Sequence, residues 1–115
     1  MTGCLTTHVL DTAHGTPATG VAVTLCDEAG TEIAHGTTNA DGRLDQPILD
    51  GEAFEVGTYT LEFEVGDYFR RLGMELPEPA FLETVVIAFA VSDTAAHYHV
   101  PLLVSPYAYS TYRGS

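Results

Sequence analysis

The amino-acid sequence predicts an all-β protein, a sandwich built from about eight short strands and one small helix. Apolar and polar residues alternate at a period of two in several short runs, which is typical of strands with one buried face. Clusters of Gly, Pro, Asn and Asp separate these runs at regular intervals, as turns do in a sandwich. The pattern contains no internal repeat or low-complexity segment, so we expect a single domain over residues 1–115.

Three strands are expected in the first part of the chain, at Cys4–Leu10, Val21–Cys26 and Thr31–Thr38. The segment between the first two strands is rich in turn-forming residues. The segment 39–42, Asn-Ala-Asp-Gly, is a further turn by composition, because these residues supply the backbone geometry that turns need. A short fourth strand is expected at Leu44 and its neighbours.

Four more strands and the helix are expected in the second part. The segment Thr58–Val65 alternates clearly between apolar and polar residues, and Glu83–Val91 is apolar and β-branched. Between them, Gly66–Gly73 has helical spacing and a glycine stop. The chain then ends in a strand, a turn at Ser105-Pro106 and a second strand.

The segment from His97 to Ser115 carries the most information. One face of its first strand is wholly apolar and belongs in a core, namely Tyr98, Val100, Leu102 and Val104. The other face begins with two imidazoles, His97 and His99, which a core would not accept unpaired. Chain ends usually fray. A polar ending directly after a strong strand therefore suggests a terminus that is tied down and used.

Composition excludes several classes of function. The chain carries 16 acidic residues against four arginines, with a formal net charge of −12. This charge argues against a nucleic-acid partner, because phosphates need a basic surface. No stretch approaches the roughly 18–20 apolar residues of a membrane span, and no signal peptide is evident, so a cytoplasmic location is expected. Cys4 and Cys26 are expected to be reduced thiols, since neither belongs to a C-x-x-C pair.

Three sequence blocks together resemble the 5-hydroxyisourate hydrolases, the transthyretin-related proteins. The C-terminal block contains H-Y-H-V-P-L-L, S-P-Y-x-Y-S-T-Y and the ending Y-R-G-S, which is the hallmark of that family. The second block is L-T-T-H-V-L-D at residues 5–11, continuing into G-T-P-A, and the third is N-A-D-G-R at residues 39–43. The blocks occur in the family's order and spacing and span nearly the whole chain.

The resemblance implies a transthyretin-like β-sandwich of two four-stranded sheets with one short helix. It implies a homotetramer with active sites at the dimer–dimer interface. It further implies an enzyme that hydrolyses 5-hydroxyisourate to 2-oxo-4-hydroxy-4-carboxy-5-ureidoimidazoline in urate breakdown. The expected partner is therefore a small purine-derived substrate, and the resemblance implies no cofactor.

His8 and His99 are the leading candidates for acid–base catalysis. His8 shares the polar face of the first strand with Thr6 and Leu10, opposite the expected core face. Two such strands on one sheet would bring both imidazoles to one outward surface. Because histidine titrates at a pKa of about 6.5, such a pair can supply a base and an acid together. Spacing alone also allows two solvated histidines; the resemblance assigns catalysis to His8 and to His99, the second histidine of H-Y-H.

Arg43, Tyr112 and Ser115 complete the candidate site. Arg43 follows a tight turn and by statistics is a surface residue, but a planar guanidinium suits the oxygens and ring amides of a purine-like molecule. The resemblance assigns Arg43 to substrate binding and charge stabilisation. It implies that Tyr112 converts the open channel of a hormone carrier into a shallow polar pocket. Ser115 offers a hydroxyl and the terminal carboxylate, and is expected in both catalysis and binding.

Weaker candidates and other functions stay open at this point. His97 lies a step nearer the loop than His99, while His14 and His35 are expected to be solvated. An H-x-H pair could bind zinc, but no third ligand completes it, so no metal site is predicted. Direct attack by water is favoured over a Ser–His nucleophile, because no nucleophile elbow is present. The alternative functions are a small-ligand carrier without catalysis and a structural sandwich module.

Overall fold

The computed structural model describes residues 3–114. The strands are β1 (Cys4–Asp11), β2 (Thr16–Pro17), β3 (Ala22–Cys26), β4 (Glu32–Thr37), β5 (Leu49–Asp50), β6 (Gly57–Glu64), β7 (Thr84–Val91), β8 (His97–Ser105) and β9 (Ala108–Thr111). One α-helix, α1 (Val65–Arg71), follows β6, and a single 3₁₀ turn covers Gly51–Ala53. The long strands begin and end within one or two residues of the predicted bounds.

Two sheets make up the protein. One has the strand order β2-β1-β8-β9, with β5 also pairing with β1, and the other has the order β4-β3-β6-β7. The pairing of β1 with β8 is parallel, whereas the other strand pairs are antiparallel. The predicted sandwich is confirmed, and β5 adds a short fifth strand to the first sheet.

The expected strand at Leu44 is wrong. Arg43 makes only an isolated bridge to His8, and residues 44–47 then form bends. The chain rejoins β1 at Ile48, whose N–H donates to the Leu5 carbonyl at 2.9 Å, and continues as β5. Pro47 has no N–H for a ladder, which explains why pairing resumes only after it.

The two sheets bury the faces that alternation predicts. In β1 the even-numbered residues are partly exposed and the odd-numbered ones are buried from Leu5 onward. In β8 the predicted core face is buried throughout, from Tyr98 to Val104. Fully buried side chains come from both sheets, including Leu5, Val9, Leu102, Val23, Leu25, Leu61 and Phe63. This packing leaves Thr6, His8 and His99 on the opposite, outward side of the first sheet.

The helix covers one end of the sandwich. Tyr68 and Phe69 are buried, and Gly73, with a φ of +87°, follows the last turn as the predicted stop. The Arg70 side chain is only 27% exposed and pairs with Glu83 and Glu78. Within residues 3–114, no helix is long and apolar enough to cross a membrane.

Candidate active site

The parallel pairing of β1 with β8 brings His8 and His99 to one surface. The register sets Thr6 opposite His99 and His8 opposite Pro101. Because paired residues point to the same side of a sheet, both imidazoles face outward. Their ring centroids are 6.3 Å apart, and both side chains are half-buried. The predicted meeting of the two histidines on one sheet face is therefore present in the structure.

A tight turn carries Arg43 to the edge of the same strand. The side-chain oxygen of Asn39 accepts hydrogen bonds from the N–H groups of Asp41 and Arg43, at 2.9 and 3.2 Å. Gly42 has a φ of +75°, and a Cβ there would collide with the Val9 carbonyl, so the turn requires glycine. The Val9 N–H donates to the Gly42 carbonyl at 2.8 Å, and Arg43 bridges His8 directly. The turn residues thus place a cation beside His8.

The chain end is fixed to the other side of His99. The Gly114 N–H donates to the His99 carbonyl at 2.7 Å. A Cβ at Gly114 would lie 2.6 Å from His99 Cδ2, so only glycine fits against this ring. The Arg113 guanidinium lies 4.0 Å from the centre of the buried Tyr98 ring, a cation–π contact that anchors the segment. Ser115, the predicted terminal site residue, lies outside the described residues.

Tyr112 does not line the histidine cleft within one chain. The register that pairs Leu102 with Thr111 continues to His99 and Gly114, which sets Tyr112 opposite Pro101. Tyr112 is 61% exposed and borders a separate cavity with apolar side chains such as Ile87. Pro101 itself is buried.

A cleft of about 300 Å³ opens beside the histidines. Its walls include Thr6, Arg43, His97 and His99, and the bends at 44–47 form its far side. The Thr6 hydroxyl oxygen lies 2.7 Å from His97 Nε2 and 2.7 Å from His99 Nδ1. The sequence predicts no role for Thr6, and it makes His97 a weaker candidate than His99. The available signal was that both share the outward face of their strands with a candidate histidine.

Burial and charge both favour the neutral imidazoles. Burial lowers the pKa of His99 below its ordinary value, and the positive charge of Arg43 lowers it further, followed by His8 and His97. Burial, and then Arg43, also lower the pKa of His8, against the opposing effect of the Asp41 backbone. Near neutral pH each imidazole therefore has a lone pair available to accept a proton.

The remaining histidines have other surroundings. His14 is not simply solvated as expected, because its Nδ1–H donates to the fully buried Asp11 carboxylate at 2.6 Å. Tyr68 donates its hydroxyl to the same carboxylate at 2.8 Å. The His35 Nδ1 atom lies 2.9 Å from the Glu32 carboxylate on the exposed surface of β4. Cys4 and Cys26 are both free thiols. Within residues 3–114, no group of three or more His, Cys, Asp or Glu side chains has the arrangement of a metal site.

Comparison with known proteins shows which family the chain belongs to. The family model described as "HIUase/Transthyretin family" matches residues 5–114. The chain is 56% identical to the 5-hydroxyisourate hydrolase of Pseudomonas aeruginosa, over 98% of this chain and 92% of that protein.

Two solved structures share the fold. The crystal structure of an (S)-allantoin synthase has a TM-score of 0.94 and 42% identity, covering 99% of this chain and 44% of that longer one. Sea bream transthyretin in complex with thyroxine has a TM-score of 0.84 and 30% identity, covering 96% of this chain and 93% of that one. The fold is thus shared with proteins whose names describe both enzymes and a thyroxine-bound protein.

Proposed function

Because the chain belongs to the HIUase/Transthyretin family, we propose that it is a 5-hydroxyisourate hydrolase of urate breakdown. The observation that carries the proposal is the outward-facing pair His8 and His99, whose ring centroids are 6.3 Å apart. Arg43 lies next to this pair, because its backbone forms an isolated β-bridge with His8. A carrier of apolar ligands has no use for two neutral imidazoles and a guanidinium on one surface. An enzyme that moves protons needs such a set.

The reaction opens the six-membered ring of the substrate by adding water to a cyclic amide. A water oxygen forms a bond to the C6 carbonyl carbon, and the bond from that carbon to the ring nitrogen breaks. The proton removed from water goes to the departing nitrogen, giving 2-oxo-4-hydroxy-4-carboxy-5-ureidoimidazoline. His8 and His99 supply these proton transfers, since burial and Arg43 lower the pKa of both and keep lone pairs available. No cofactor takes part in this scheme.

Arg43 orients the substrate and stabilises the negative charge that develops on the carbonyl oxygen. Among residues 3–114 the structure records no carboxylate paired with the Arg43 guanidinium, whereas Arg70 pairs with three acidic side chains. A guanidinium without a structural ion pair can bind a planar amide or an oxyanion through its parallel donors. We include Tyr112 and Ser115 in substrate binding, and Ser115 also in catalysis, as the family resemblance implies.

The working form is proposed to be a cytoplasmic homotetramer with its sites between pairs of subunits. The outward face that holds His8 and His99 continues into half-buried Leu10 and Leu103, and Tyr112, which lies opposite Pro101 on that face, is 61% exposed. Contiguous apolar surface of this kind marks a contact with another chain. Light scattering should give a mass four times that of one chain, and a monomer at micromolar concentration would contradict this arrangement.

One assay tests the proposed activity. Freshly made 5-hydroxyisourate is added to the protein, and its ultraviolet decay is compared with the spontaneous rate. We expect clear acceleration by the intact protein and almost none by the His8→Ala variant. Thyroxine binding is measured by calorimetry in parallel. Tight thyroxine binding without acceleration would instead support a transthyretin-like carrier, and neither activity would support a structural module.

A further inference from the structure

A single hydroxyl group lies between two imidazoles of the cleft. Thr6 Oγ1 is 2.7 Å from His97 Nε2 and 2.7 Å from His99 Nδ1. Both distances are those of short hydrogen bonds. The parallel register produces this contact, because Thr6 lies opposite His99 while His97, two positions earlier on β8, projects to the same side. Thr6 therefore touches two titratable groups, and among residues 3–114 its hydroxyl has no backbone hydrogen-bond partner.

The single proton of the Thr6 hydroxyl restricts the tautomers that His97 and His99 can adopt. A threonine hydroxyl carries one proton, so it can donate to only one of the two nitrogens and must accept from the other. If it donates to His97 Nε2, then His99 Nδ1 carries a proton and His99 Nε2 is bare. If it donates to His99 Nδ1, the proton lies on His97 Nε2. Of the two nitrogens that face Thr6, His97 Nε2 and His99 Nδ1, one therefore carries a proton and the other does not.

We propose that Thr6 is a positioning residue that fixes the tautomer of His99 and conducts protons between His99 and His97. The inference rests on the proposed hydrolysis, because the protons conducted are those of that reaction. His97 is exposed and His99 is half-buried, so the bridge joins the cleft to the solvent-facing edge of the sheet.

The proton transfers balance over one turnover. At the start His99 carries its proton on Nδ1, and Thr6 donates to His97 Nε2. When the attacking water gives a proton to His99 Nε2, the Nδ1 proton passes to Thr6 and the Thr6 proton passes to His97. The water oxygen meanwhile forms its bond to the carbonyl carbon. The moves then reverse: His99 Nε2 gives its proton to the departing nitrogen as the carbon–nitrogen bond breaks, and Thr6 and His97 return to their starting states.

Two substitutions separate the hydroxyl from the shape of the side chain. Thr6→Val keeps the volume and removes the hydroxyl, whereas Thr6→Ser keeps the hydroxyl. We expect Thr6→Val to lower kcat about ten- to a hundredfold, part of the usual effect of lost acid–base catalysis, and Thr6→Ser to change it less than about threefold. Thr12→Val is the matched control, because the Thr12 hydroxyl donates to the Val104 carbonyl and does not line the histidine cleft.

Nitrogen NMR of the imidazoles gives a readout that does not depend on turnover. We expect a single Nδ1–H tautomer for neutral His99 in the unmodified protein and in Thr6→Ser, and a mixture in Thr6→Val. The pH dependence of kcat is recorded for the same set. Arg43, His8 and Asp45 also face this region and are unchanged in every variant, so a changed profile is assigned to the hydroxyl.

The outcomes separate this inference from the proposed function. An unchanged His99 tautomer and kcat profile in Thr6→Val would overturn the role of Thr6, and so would a Thr6→Ser variant as impaired as Thr6→Val. If the unmodified protein does not hydrolyse 5-hydroxyisourate but His99 keeps a fixed tautomer that Thr6→Val releases, the positioning role is supported and the proposed function is contradicted. Melting temperatures confirm that each variant is folded.

Discussion

Strand β1 carries polar side chains into two clusters that are built in opposite ways. At its outward face Thr6 and His8 lie beside His99, next to an open cleft. At its end Asp11 turns inward and is fully buried. The Asp11 carboxylate accepts three hydrogen bonds, from the backbone and ring of His14 and from the hydroxyl of Tyr68. We refer to these as the open cluster and the closed cluster.

The difference lies in how completely each cluster satisfies its own polar atoms. In the closed cluster a buried carboxylate has donors for both oxygens, and burial together with Asp11 raises the pKa of Tyr68 to about 12, so the phenol remains a donor. In the open cluster, burial and Arg43 lower the pKa values of His8 and His99, which favours the neutral imidazoles. His14, which lies beside the acid Asp11, therefore has a structural role. His8 and His99, which lie beside the cation Arg43, can still accept a proton or a hydrogen bond from a ligand.

The largest effect should come from removing an imidazole of the open cluster. His99→Ala should lower turnover by about two to four orders of magnitude, because general acid–base catalysis is lost. The melting temperature should change little, since His99 is not on the core face. His35→Ala is the control, because His35 is paired with Glu32 on the exposed surface of β4 and does not line the histidine cleft. Near-normal turnover in His99→Ala would show that the open cluster is not catalytic.

Removing the acid of the closed cluster should affect stability instead. Asp11→Ala leaves buried donors without an acceptor, and we expect the free energy of unfolding to fall by about 3 kcal/mol. Tyr68→Phe removes one of the bonds and should cost about 1 kcal/mol. Urea unfolding measures both, and turnover per folded molecule should stay near the unmodified value. An active-site defect in Asp11→Ala without loss of stability would reverse the assignment.

A substitution at Gly114, which packs against His99, should lower turnover by less than the loss of the imidazole does. Gly114→Ala introduces a Cβ 2.6 Å from His99 Cδ2, so the ring or the terminal segment must move. We expect turnover to fall about tenfold, since misplacing a catalytic group by a fraction of an ångström is costly, with little change in melting temperature.

Terminal tags test the role of the C-terminal segment without introducing an atom directly against the His99 ring. A C-terminal tag adds bulk beyond Gly114, which pairs with His99, so it should lower turnover. An N-terminal tag should be tolerated. Equal turnover of the two tagged proteins would remove Ser115 from the proposed site.

The smallest effect concerns titration of the open cluster. Because the pKa values of His8 and His99 are lowered, turnover should be retained below the ordinary histidine pKa of about 6.5 and decline only at lower pH, as the imidazoles become protonated. Arg43→Gln removes a positive charge, so both pKa values should rise towards the ordinary value and the acid limb should move to higher pH. NMR titration measures this, and unchanged pKa values would show that Arg43 does not tune the pair.

The sequence by itself determined the long strands and the buried faces of β1 and β8. Alternation in β1 and β8 predicts the core face and the outward positions of His8 and His99, because side chains on a strand change sides at every residue. The composition of segment 39–42 predicts the turn before Arg43, since Asn, Asp and Gly favour its backbone geometry. The motifs, in turn, predicted the family. These are local properties or direct matches.

Only the tertiary structure decided which polar groups meet. Thr6 and His97 are separated by 91 positions in sequence, and their contact exists because β1 pairs with β8 in one parallel register. A shift of that register by one residue would turn every side chain of the strand to the other face. The same holds for Tyr68 and Asp11, 57 positions apart, which meet because α1 packs against the end of the sandwich. Local alternation shows which side a residue faces, whereas strand register and helix packing choose its neighbours.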